Sequence, residues 1–558
     1  MTPAETFARA RDALLRNHGD LERARAEFHF EGVTEFNWAW DWFEPFAKGN
    51  ARPALVLVSA EGTSHSSFSE LSERSTRLAR FLSDQGVLRG DRILVMLNNV
   101  VPLWETMLAA IKLGVVVIPA TTQLTQADVD DRIERGNVRH VVTDEAGAAK
   151  VRAPERLGVR LVVGGAALSF QSYDSALSAK AELERVVTNA GDPLLLYFTS
   201  GTTAKPKLVL HTHTSYPVGH LSTMYWLGLT EADVHQNISS PGWAKHAWSS
   251  FFAPWNAGCT ILVHEAPRFS AKRSIEILHE HAVSTLCAPP TVWRMMILES
   301  LGEKPAFLRE LASAGEPLNP EVIATVRDAW GITIRDGYGQ TETTAQVGNP
   351  PGLPVELGSM GKPLPGYDVV LLDHDGKETD DEGEVALRLE RRPIGLMAGY
   401  ADDAARTSAV TAGGYYRTGD EARRDANGYI HFVGRGDDVF KSSDYRISPF
   451  ELESILLEHE LVAEAAVVPS PDALRLSVPK AFVVLKPGAV ETRETAWSIL
   501  DQSAAKLAPY KRVRRLEFAP LPKTISGKIR RVELRKAEAA RRASGERGPL
   551  EFWLDDDR

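Results

Sequence analysis

The first place where this sequence could do chemistry is an apolar run followed by hydroxyl-bearing and basic residues. Leu194–Phe198 (LLLYF) is β-prone and leads directly into Thr199–Lys207 (TSGTTAKPK). A strand that ends in such a loop presents backbone N–H groups and hydroxyls that can wrap an anion such as a phosphate. The G-x-x-x-x-G-K-[ST] spacing of the common nucleotide-binding loop does not occur here, so a solvated surface loop is the alternative.

A second segment whose residue types could take part in binding or catalysis is Asp336–Glu342 (DGYGQTE). Tyr338 lies between glycines, so its flat ring has open backbone beside it and is suited to stacking on an adenine. Thr341 can donate a hydrogen bond to a phosphate oxygen. Glu342 can bind Mg²⁺, a hard cation that prefers oxygen ligands. A glycine-rich turn with a structural tyrosine is the alternative interpretation.

Three further motifs follow toward the C-terminus. Tyr416–Asp420 (YRTGD) places a carboxylate after a tight turn, where it can accept hydrogen bonds from two vicinal hydroxyls or simply cap the turn. Gly434–Ile447 (GRGDDVFKSSDYRI) has the charged composition of an interdomain linker. Leu521–Lys528 (LPKTISGK) ends in a lysine beside a glycine, which in isolation would be solvated surface.

Together these motifs resemble those of the adenylate-forming superfamily, which includes acyl-CoA synthetases, peptide-synthetase adenylation domains and luciferases. Thr199–Lys207 resembles T-S-G-T-T-G-x-P-K, residues 338–342 resemble Y-G-x-T-E, and residues 434–447 resemble G-R-x-D-D-x-I-K-x-x-G-Y-R-I. The residues of these motifs and their spacing most resemble those of the medium-chain acyl-CoA synthetases, and Arg391–Tyr400 (RRPIGLMAGY) supports that resemblance. It extends over about residues 36–536.

The resemblance implies a role for each motif. Lys528 would be the mobile catalytic lysine that reaches the α-phosphate of ATP, acting with Thr341 and with Glu342, which holds Mg²⁺. Asp437 would be the hinge, Asp420 would hold the ribose diol, and Arg435 would reach the ribose or a phosphate. The implied ATP and AMP contacts are Thr199, Ser200, Gly201, Thr202, Thr203, Ala204, Lys205, Pro206, Lys207, Gly315, Glu316, Pro317, Asp336, Gly337, Tyr338, Gly339, Gln340, Asp420 and Arg435.

The implied reaction joins a carboxylic acid to coenzyme A through an acyl-adenylate, with ATP and Mg²⁺. Coenzyme A contacts are implied for Ser443, Asp444, Tyr445 and Arg475, while a carrier protein or an amine stays open as the acceptor. The implied fold is a large α/β N-terminal domain, residues 1–436, with parallel-rich sheets flanked by helices. A small mobile α+β C-terminal lid domain, residues 437–558, would follow it.

Two departures from the family pattern leave half-reaction alternatives open. Ala204 replaces a glycine, and its methyl group could hinder close approach of the loop to the phosphates and weaken adenylation. Asp444 replaces a glycine beside the pantetheine tunnel, and its carboxylate could weaken thioester formation. The alternatives are an enzyme that only converts a ready-made adenylate, one that stops at the adenylate, or a non-enzymatic binder of nucleotides or acyl groups, which Lys528 and Glu342 disfavour.

Gly339 gives a clue to the size of the acid. Acetyl-specific relatives in this superfamily have a tryptophan at that position, which closes the acyl pocket. Gly339 therefore implies an open pocket and an acid larger than acetate, whether medium-chain, branched or cyclic. Trp243 and Trp248 are predicted to line this pocket, with Tyr225 and Trp226 as further candidates, and plain core packing is the alternative for all of them.

The elements that must position these motifs follow from hydrophobic periodicity. Apolar residues at helical spacing predict a helix over Ser67–Gln85, and Pro102 and Gly114 are expected to begin and end the next one. Buried strands are predicted at residues 92–97, 115–119 and 140–143, alternating with helices, which indicates parallel sheets covered on both faces. In such sheets ligand loops lie at the carboxyl ends of strands.

The region beyond residue 437 has a different pattern, which predicts a separate α+β module. The expected elements are helices at residues 449–460 and 492–506 and strands at residues 465–468, 480–485 and 515–519. The tail, residues 551–558, is expected to be frayed, although Phe552 and Trp553 could dock.

The bulk composition excludes several classes of protein. The chain has 558 residues, 43% of them hydrophobic and 25% charged, which is typical of a soluble globular protein, and its net charge of −10 argues against a nucleic-acid binder. Cys259 and Cys287 lie in apolar surroundings and are expected to be buried thiols in a reducing compartment. Residues 1–28 predict a charged amphipathic helix without a signal-peptide core, so we expect a cytoplasmic protein without a membrane span.

Overall fold

The computed structural model describes residues 1–199, 206–266, 268–436, 438–442, 445–472, 475–524, 528–554 and 556. The chain divides into two compact units, which are described separately. Unit 1 comprises Met1–Val369 and Leu387–Tyr416, and unit 2 comprises Val370–Ala386 and Arg417–Arg558. The predicted hinge, Asp437, lies outside the described residues, so the boundary at 436/437 stays a prediction.

The helices alternate with strands through most of unit 1. The α-helices are α1 (Pro3–Arg16), α2 (Leu21–Glu27), α3 (Glu44–Ala47), α4 (Phe68–Asp84), α5 (Val101–Leu113), α6 (Gln126–Arg135), α7 (Glu145–Ala148), α8 (Tyr173–Ala176), α9 (His220–Leu227), α10 (Ala244–Ala247), α11 (Ala253–Ala257), α12 (Ala271–Glu280), α13 (Pro290–Met296), α14 (Pro320–Trp330), α15 (Ala404–Val410), α16 (Pro449–Leu457), α17 (Arg493–Lys506) and α18 (Arg531–Ala543). Single π-helical turns occupy Ala39–Phe43 and Trp248–Phe252, and short 3₁₀ turns occupy Pro154–Arg156 and Ala412–Gly414.

Except for three of ten or eleven residues, the strands have seven residues or fewer. They are β1 (Pro53–Ser59), β2 (Gly62–Ser67), β3 (Arg92–Met96), β4 (Val116–Pro119), β5 (His140–Asp144), β6 (Arg160–Val163), β7 (Gln171–Ser172), β8 (Pro193–Thr199), β9 (Lys207–Thr212), β10 (Val234–Asn237), β11 (Thr260–His264), β12 (Thr285–Ala288), β13 (Glu310–Ala314), β14 (Ile334–Gly339), β15 (Ala345–Gly348), β16 (Lys362–Pro363), β17 (Val369–Leu372), β18 (Glu378–Thr379), β19 (Glu382–Arg388), β20 (Gly399–Tyr400), β21 (Tyr415–Arg424), β22 (Ile430–Arg435), β23 (Phe440–Ser442), β24 (Tyr445–Ile447), β25 (Val462–Asp472), β26 (Leu476–Leu485), β27 (Arg515–Phe518) and β28 (Glu551–Trp553).

One sheet of unit 1 carries the first motif. Its strand order is β20-β9-β8-β4-β3-β5-β6-β7, and β3 runs parallel to both β4 and β5. The helices α5 and α6 supply the crossovers that parallel pairing requires. At the other end β8 and β9 form an antiparallel pair in which Thr199 faces Lys207. The first motif is therefore the connection between two paired strands.

The other sheet of unit 1 carries the second motif. Its order is β16-β15-β14-β13-β12-β10-β11-β1-β2, and the strands from β1 through β11, β10, β12 and β13 to β14 are paired in parallel. Because β13 and β14 are paired in parallel, the segments that follow their carboxyl ends lie side by side.

Local sequence explains where the helices begin and end. Ser67 caps α4 with its side chain and Glu70 completes the capping box, while α5 has Pro102 in its first turn and ends at Gly114 with φ of +68°. These bounds confirm the helix predictions. The N-terminal segment is different, because it forms α1 and α2 instead of one helix, and Asp20 caps the second of them.

Unit 2 is an α+β unit, as the sequence predicts. It contains most of the sheet β18-β17-β19-β21-β22, the pair β23-β24, and the sheet β25-β26-β27-β28. Buried side chains of α16, α17 and the last of these sheets form one core, with Leu452, Val467, Leu500 and Leu516 among them.

The C-terminal end of the chain corrects the expectation of a frayed tail. Residues 531–543 form α18, which the sequence analysis did not predict, and residues 551–553 pair with β27 as an edge strand. The Trp553 ring lies under the guanidinium groups of Arg515 and Arg547, at 4.2 and 3.8 Å from the ring centroid. Such cation–π contacts and the strand pairing hold the segment in place.

The cysteines and the helices agree with two further expectations. Cys259 and Cys287 are both free and buried. Among the helices of the described residues, every one is too short or too polar to cross a lipid bilayer.

Candidate active site

The flanks of the first motif are fixed in unit 1. The pairing of Thr199 with Lys207 closes the β8–β9 connection, and the guanidinium of Arg135 donates to the Pro206 carbonyl at 2.9 Å. Ser200, Gly201, Thr202, Thr203, Ala204 and Lys205 lie outside the described residues. The structure thus places the two ends of the predicted phosphate loop next to each other and brings Lys207 to its base.

Lys207 belongs to a polar cluster with Glu342 and Tyr400. The Tyr400 hydroxyl donates to Glu342 Oε1 at 2.9 Å, and the Lys207 ammonium lies 3.7 Å from the same oxygen and 3.4 Å from the Tyr400 hydroxyl. Glu342 is 8% exposed. Two of the predicted site motifs are therefore in direct contact.

Sheet geometry explains why Tyr400 joins this cluster. In the β9–β20 pair Tyr400 faces Val209, which is two residues from Lys207 and so on the same face of β9. The Lys207 ammonium consequently also lies over the Tyr400 ring, 5.3 Å from its centroid. The sequence analysis did not single out Tyr400 as a site residue, although the stretch that ends in it supported the family resemblance.

The backbone of Thr341 and Glu342 is held from two sides. His211 Nε2 donates to the Thr341 carbonyl at 2.7 Å, and the Met397 N–H donates to the Glu342 carbonyl at 2.8 Å. Since a carbonyl can only accept, the proton of His211 is on Nε2, and Nδ1 accepts from the Ser215 hydroxyl at 3.0 Å. Burial lowers the pKa of His211 to about 4, so the ring is neutral at physiological pH.

The donor set at this place fits a hard divalent cation. The Glu342 carboxylate and the Thr341 hydroxyl offer oxygen ligands, which Mg²⁺ prefers to nitrogen or sulfur. Tyr400 and Lys207 both contact Oε1 and so fix how the carboxylate is presented. Glu342 is thus a suitable ligand, with Thr341 beside it.

The predicted adenine segments lie together at the carboxyl ends of β13 and β14. Ala314 and Gly337 are register partners, so Gly315-Glu316-Pro317 follows one strand where Tyr338 stands on the next. A side chain at Gly337 would collide with Trp226, because a Cβ there would be 2.3 Å from the indole. Trp226 therefore packs under the adenine segment as core, and Tyr225, whose hydroxyl donates to the Asn17 carbonyl at 3.3 Å, is core as well.

Asp336 is the buried carboxyl group of this region. It accepts from the N–H groups of Gly337 at 3.0 Å and Leu318 at 3.3 Å. Burial outweighs these bonds and the nearby Lys245 charge, and it raises the pKa of Asp336 to about 7. Asp336 is thus partly protonated near neutral pH.

Of the predicted acyl-pocket residues, Trp248 packs directly against Gly339. A Cβ at this position would be 2.1 Å from the Thr344 carbonyl oxygen and 2.8 Å from Trp248 Cη2, so only glycine fits beside the indole. Trp248 is 5% exposed, and Trp243 is half-buried at the start of the same segment. Gln340, the residue after Gly339, is held in place by a hydrogen bond from the Tyr416 hydroxyl to its Oε1 at 2.8 Å.

Unit 2 brings together the predicted ribose residues. Asp420 on β21 faces Arg435 on β22, with 3.2 Å between Oδ1 and Nη1, and Asp420 is 4% exposed. The turn before it requires glycine, because Gly419 has φ of +75° and donates its N–H to Glu384 at 2.9 Å. The carboxylate can accept hydrogen bonds from the hydroxyl groups of a sugar diol, and the guanidinium beside it can donate hydrogen bonds to them.

Unit 2 also holds Lys528 close to Thr524. The Lys528 N–H donates a hydrogen bond to the Thr524 hydroxyl at 3.1 Å, and the Thr524 N–H donates one back to the Lys528 carbonyl at 2.8 Å. Nearby along the chain, Lys523 pairs with Glu464 at 2.7 Å and Arg531 pairs with Glu453 at 2.6 Å. Lys528 itself is exposed, and residues 525–527 lie outside the described part of the chain.

The predicted coenzyme A residues are only partly described. Ser443 and Asp444 lie outside the described residues, and Tyr445 is described by its backbone in β24. Arg475 is half-buried, and its N–H donates to Asp472 at 3.0 Å. Arg515 is buried and donates a hydrogen bond to the Pro471 carbonyl at 2.9 Å, so it serves the fold of unit 2.

The fold and this site define a nucleotide-using enzyme that activates acids, and comparison with known proteins gives the family. The model of the AMP-binding enzyme family matches residues 43–401, and that of its C-terminal domain matches residues 451–528. The chain therefore belongs to the AMP-binding enzyme family. The predicted resemblance, the predicted fold class and the predicted enzyme class, an AMP-forming acid–thiol ligase that uses ATP, Mg²⁺ and coenzyme A, are confirmed.

The relatives include characterised ligases of similar length. The chain is 43% identical to 4-hydroxybutyrate–CoA ligase 1 of Metallosphaera sedula over 93% of this chain and 94% of that protein. It is 38% identical to the mitochondrial acyl-coenzyme A synthetase ACSM3 of Homo sapiens over 95% and 94%. The solved anthranilate CoA ligase AuaEII in complex with anthranoyl-AMP superposes with a TM-score of 0.83, at 27% identity over 92% of this chain and 99% of that one.

Proposed function

We propose that this chain activates a carboxylic acid larger than acetate as its acyl-adenylate and then transfers the acyl group to coenzyme A. The observation that carries the proposal is the contact of Glu342 with Lys207 and Tyr400 at the base of the predicted phosphate loop. It joins an oxygen ligand for a metal to a cation at the place where a triphosphate would lie. The half-reaction alternatives are not favoured, since the relatives reported above are named as CoA ligases or synthetases.

In the first step a carboxylate oxygen of the acid attacks the α-phosphorus of ATP, and the bond to the pyrophosphate oxygen breaks. Such a transfer requires alignment and charge neutralisation more than covalent help from the protein. Thr199–Lys207 hold the leaving pyrophosphate, the Thr341 hydroxyl donates to a phosphate oxygen, and the Lys528 ammonium approaches the α-phosphate. Bound to Glu342, Mg²⁺ would supply further positive charge to the phosphate oxygens.

In the second step the thiolate of coenzyme A attacks the acyl carbon, and the bond to the AMP oxygen breaks. Lys528 serves only the first step, so the lid domain, residues 437–558, turns about Asp437 and admits the thiol. Ser443, Asp444, Tyr445 and Arg475 are the proposed coenzyme A contacts.

The nucleotide itself is proposed to lie between several separate segments. Gly315, Glu316, Pro317, Asp336, Gly337 and Tyr338 take the adenine, Asp420 takes the ribose diol, and Arg435 takes the ribose or a phosphate. The register partnership of Ala314 with Gly337 and the pairing of Asp420 with Arg435 support these groupings.

The size of the acid follows from Gly339 and the aromatic residues near it. The glycine leaves the position without the side chain that closes the pocket in acetyl-specific relatives. Trp248 packs against this glycine, and Trp248 and Trp243 are the proposed apolar walls of the pocket. The names of similar proteins agree with this size, since they specify 4-hydroxybutyrate, anthranilate and benzoate, all larger than acetate. We also propose the cytoplasm as the compartment, because Cys259 and Cys287 are both free and buried, which fits a reducing environment.

The test is an acid panel with ATP, Mg²⁺ and coenzyme A, in which thioesters are identified by mass spectrometry. Acids of four to eight carbons, including branched and cyclic ones, are expected to give higher kcat/KM than acetate. A panel in which acetate exceeds every larger acid would refute the proposed size. Omitting Mg²⁺ is expected to abolish formation of AMP and pyrophosphate.

A further inference from the structure

A buried histidine without a complete set of hydrogen bonds lies next to Trp248, one of the residues proposed to line the acyl pocket. His220 begins α9 and is 0% exposed. Its Nδ1 is 2.9 Å from the Thr223 hydroxyl, whereas its Nε2 has no hydrogen-bond partner among the residues that the structure describes. A buried polar atom left unpaired is costly, so a native structure normally supplies a partner for it, from the protein, a water molecule or a ligand.

The surroundings of His220 are aromatic and connect it to Gly339. The ring stacks on Phe252 at 5.8 Å, meets the edge of Tyr216 at 4.4 Å, and lies 5.7 Å from the Trp248 ring. Trp248 in turn is the side chain that fills the space beside Gly339. His220 is thus one indole ring beyond the position that sets the size of the acid.

The charge state of His220 narrows the chemistry of the missing partner. Burial lowers its pKa well below 6.5, so the ring is neutral and carries one N–H. The Thr223 hydroxyl can either donate to Nδ1 or accept from it, so Nε2 is a donor in one tautomer and an acceptor in the other. A hydroxyl group matches both cases, whereas a methyl group matches neither.

We propose that His220 Nε2 binds a hydroxyl group on the acyl chain, so that the substrates of this enzyme are hydroxy acids. This inference rests on the proposed function and adds the polarity of the acyl chain to its size. A site that pairs with a substrate hydroxyl discriminates strongly against the analogue that lacks it, because the buried group is then left without a partner.

The first test uses the wild-type enzyme and pairs of acids in which a hydroxyl replaces a methyl. The pairs are 4-hydroxybutyrate with pentanoate and 5-hydroxypentanoate with hexanoate, each measured as kcat/KM for thioester formation. At least one hydroxy acid is expected to exceed its partner by about tenfold. Equal or higher values for both unsubstituted acids would overturn the inference while leaving the proposed function intact, and turnover of neither kind would instead contradict the proposed function.

The second test changes the ring nitrogen itself. His220→Asn keeps a polar group near Nδ1 and removes the one at Nε2, and is expected to lower the hydroxy-to-unsubstituted ratio about tenfold. His220→Gln reaches the Nε2 position and is expected to retain most of the ratio. His213→Asn is the matched control, since His213 is also buried, and both its ring nitrogens are unpaired within the described part of the chain.

The second test compares the hydroxy-to-unsubstituted ratio of kcat/KM between variants, and thermal melting shows whether each variant is folded. A ratio that stays at the wild-type value in His220→Asn would overturn the inference, and so would an equal loss in His213→Asn. If His220→Asn does not fold, the ratio in His220→Gln and the wild-type acid pairs decide, because neither requires that variant.

Discussion

The two charged groups proposed to act on ATP are held in opposite ways. Glu342 is 8% exposed, and it is fixed by a tyrosine of β20, a lysine of β9 and a backbone N–H of residue 397. Lys528 is exposed, and its described hydrogen bonds are those that its backbone makes with Thr524. A metal ligand benefits from a fixed position, whereas a lysine used in one step only must be able to leave.

The largest effect is expected from Lys528→Ala, which removes the movable charge. Pyrophosphate formation from ATP and acid is expected to fall about 10³-fold, since a single cation at a transferring phosphoryl group contributes on that order. Thioester formation from a synthetic acyl-adenylate should stay within about threefold of wild type, because the ammonium is not used in that step.

The control for this variant is Lys506→Ala. Lys506 is an exposed lysine of unit 2 that pairs with Glu458, and its loss should leave both rates unchanged. Equal loss of both half-reactions in Lys528→Ala would contradict the division of labour between the two regions.

The next effect is expected from Glu342→Gln, which removes the fixed charge but keeps the shape of the side chain. Adenylation is expected to fall about 100-fold, and the Mg²⁺ concentration for half-maximal rate should rise. Pyrophosphate exchange measured across a Mg²⁺ titration checks both, with Glu276→Gln, at a partly exposed glutamate that pairs with Arg273, as control. An unchanged Mg²⁺ midpoint would show that Glu342 is not a ligand.

A smaller effect is expected from Tyr400→Phe, which leaves Glu342 charged but less firmly positioned. Because a hydrogen bond to a charged group is lost, the adenylation rate is expected to fall about tenfold. The Mg²⁺ concentration for half-maximal rate should also rise. Tyr173→Phe is a matched control, because its buried hydroxyl also donates to a carboxylate, that of Glu105, at 2.7 Å. A shift of the midpoint in both variants would mean that it reports stability and not positioning.

The smallest effect concerns Asp336 and pH. Its pKa rises from 3.8 to about 7 in the folded protein, so between these values the native state binds more protons than the unfolded state. Stability from this group is therefore lost as pH rises. The free energy of unfolding of wild type relative to Asp336→Asn should fall by about 1 kcal/mol between pH 6 and pH 8.

Chemical denaturation of both proteins at several pH values measures this difference. A difference that stays constant over the range would contradict the raised pKa. The buried His246 provides a comparison of opposite sign. Burial lowers its pKa from 6.5 to about 3, so between these values the unfolded state binds more protons and the stability from this group rises with pH.

The sequence predicted well what local spacing encodes. The strand β8 that leads into the first motif, the bounds of α4 and α5 and the core strands of unit 2 follow from hydrophobic periodicity and capping. Tyr400 and His211 could not be assigned in this way, because their partners Glu342 and Thr341 lie 58 and 130 residues away along the chain. The strand β28 was missed for the same reason, since it depends on pairing with a strand that precedes it by more than thirty residues.

The most direct test of the account is a single-turnover experiment on the wild-type enzyme without coenzyme A. With ATP, Mg²⁺ and an acid of four or more carbons, the account predicts a burst of pyrophosphate close to one per enzyme molecule, followed by thioester and AMP when coenzyme A is added. An enzyme that converts a synthetic acyl-adenylate into thioester but releases no pyrophosphate from ATP would contradict it. In that case Ala204→Gly should restore the burst.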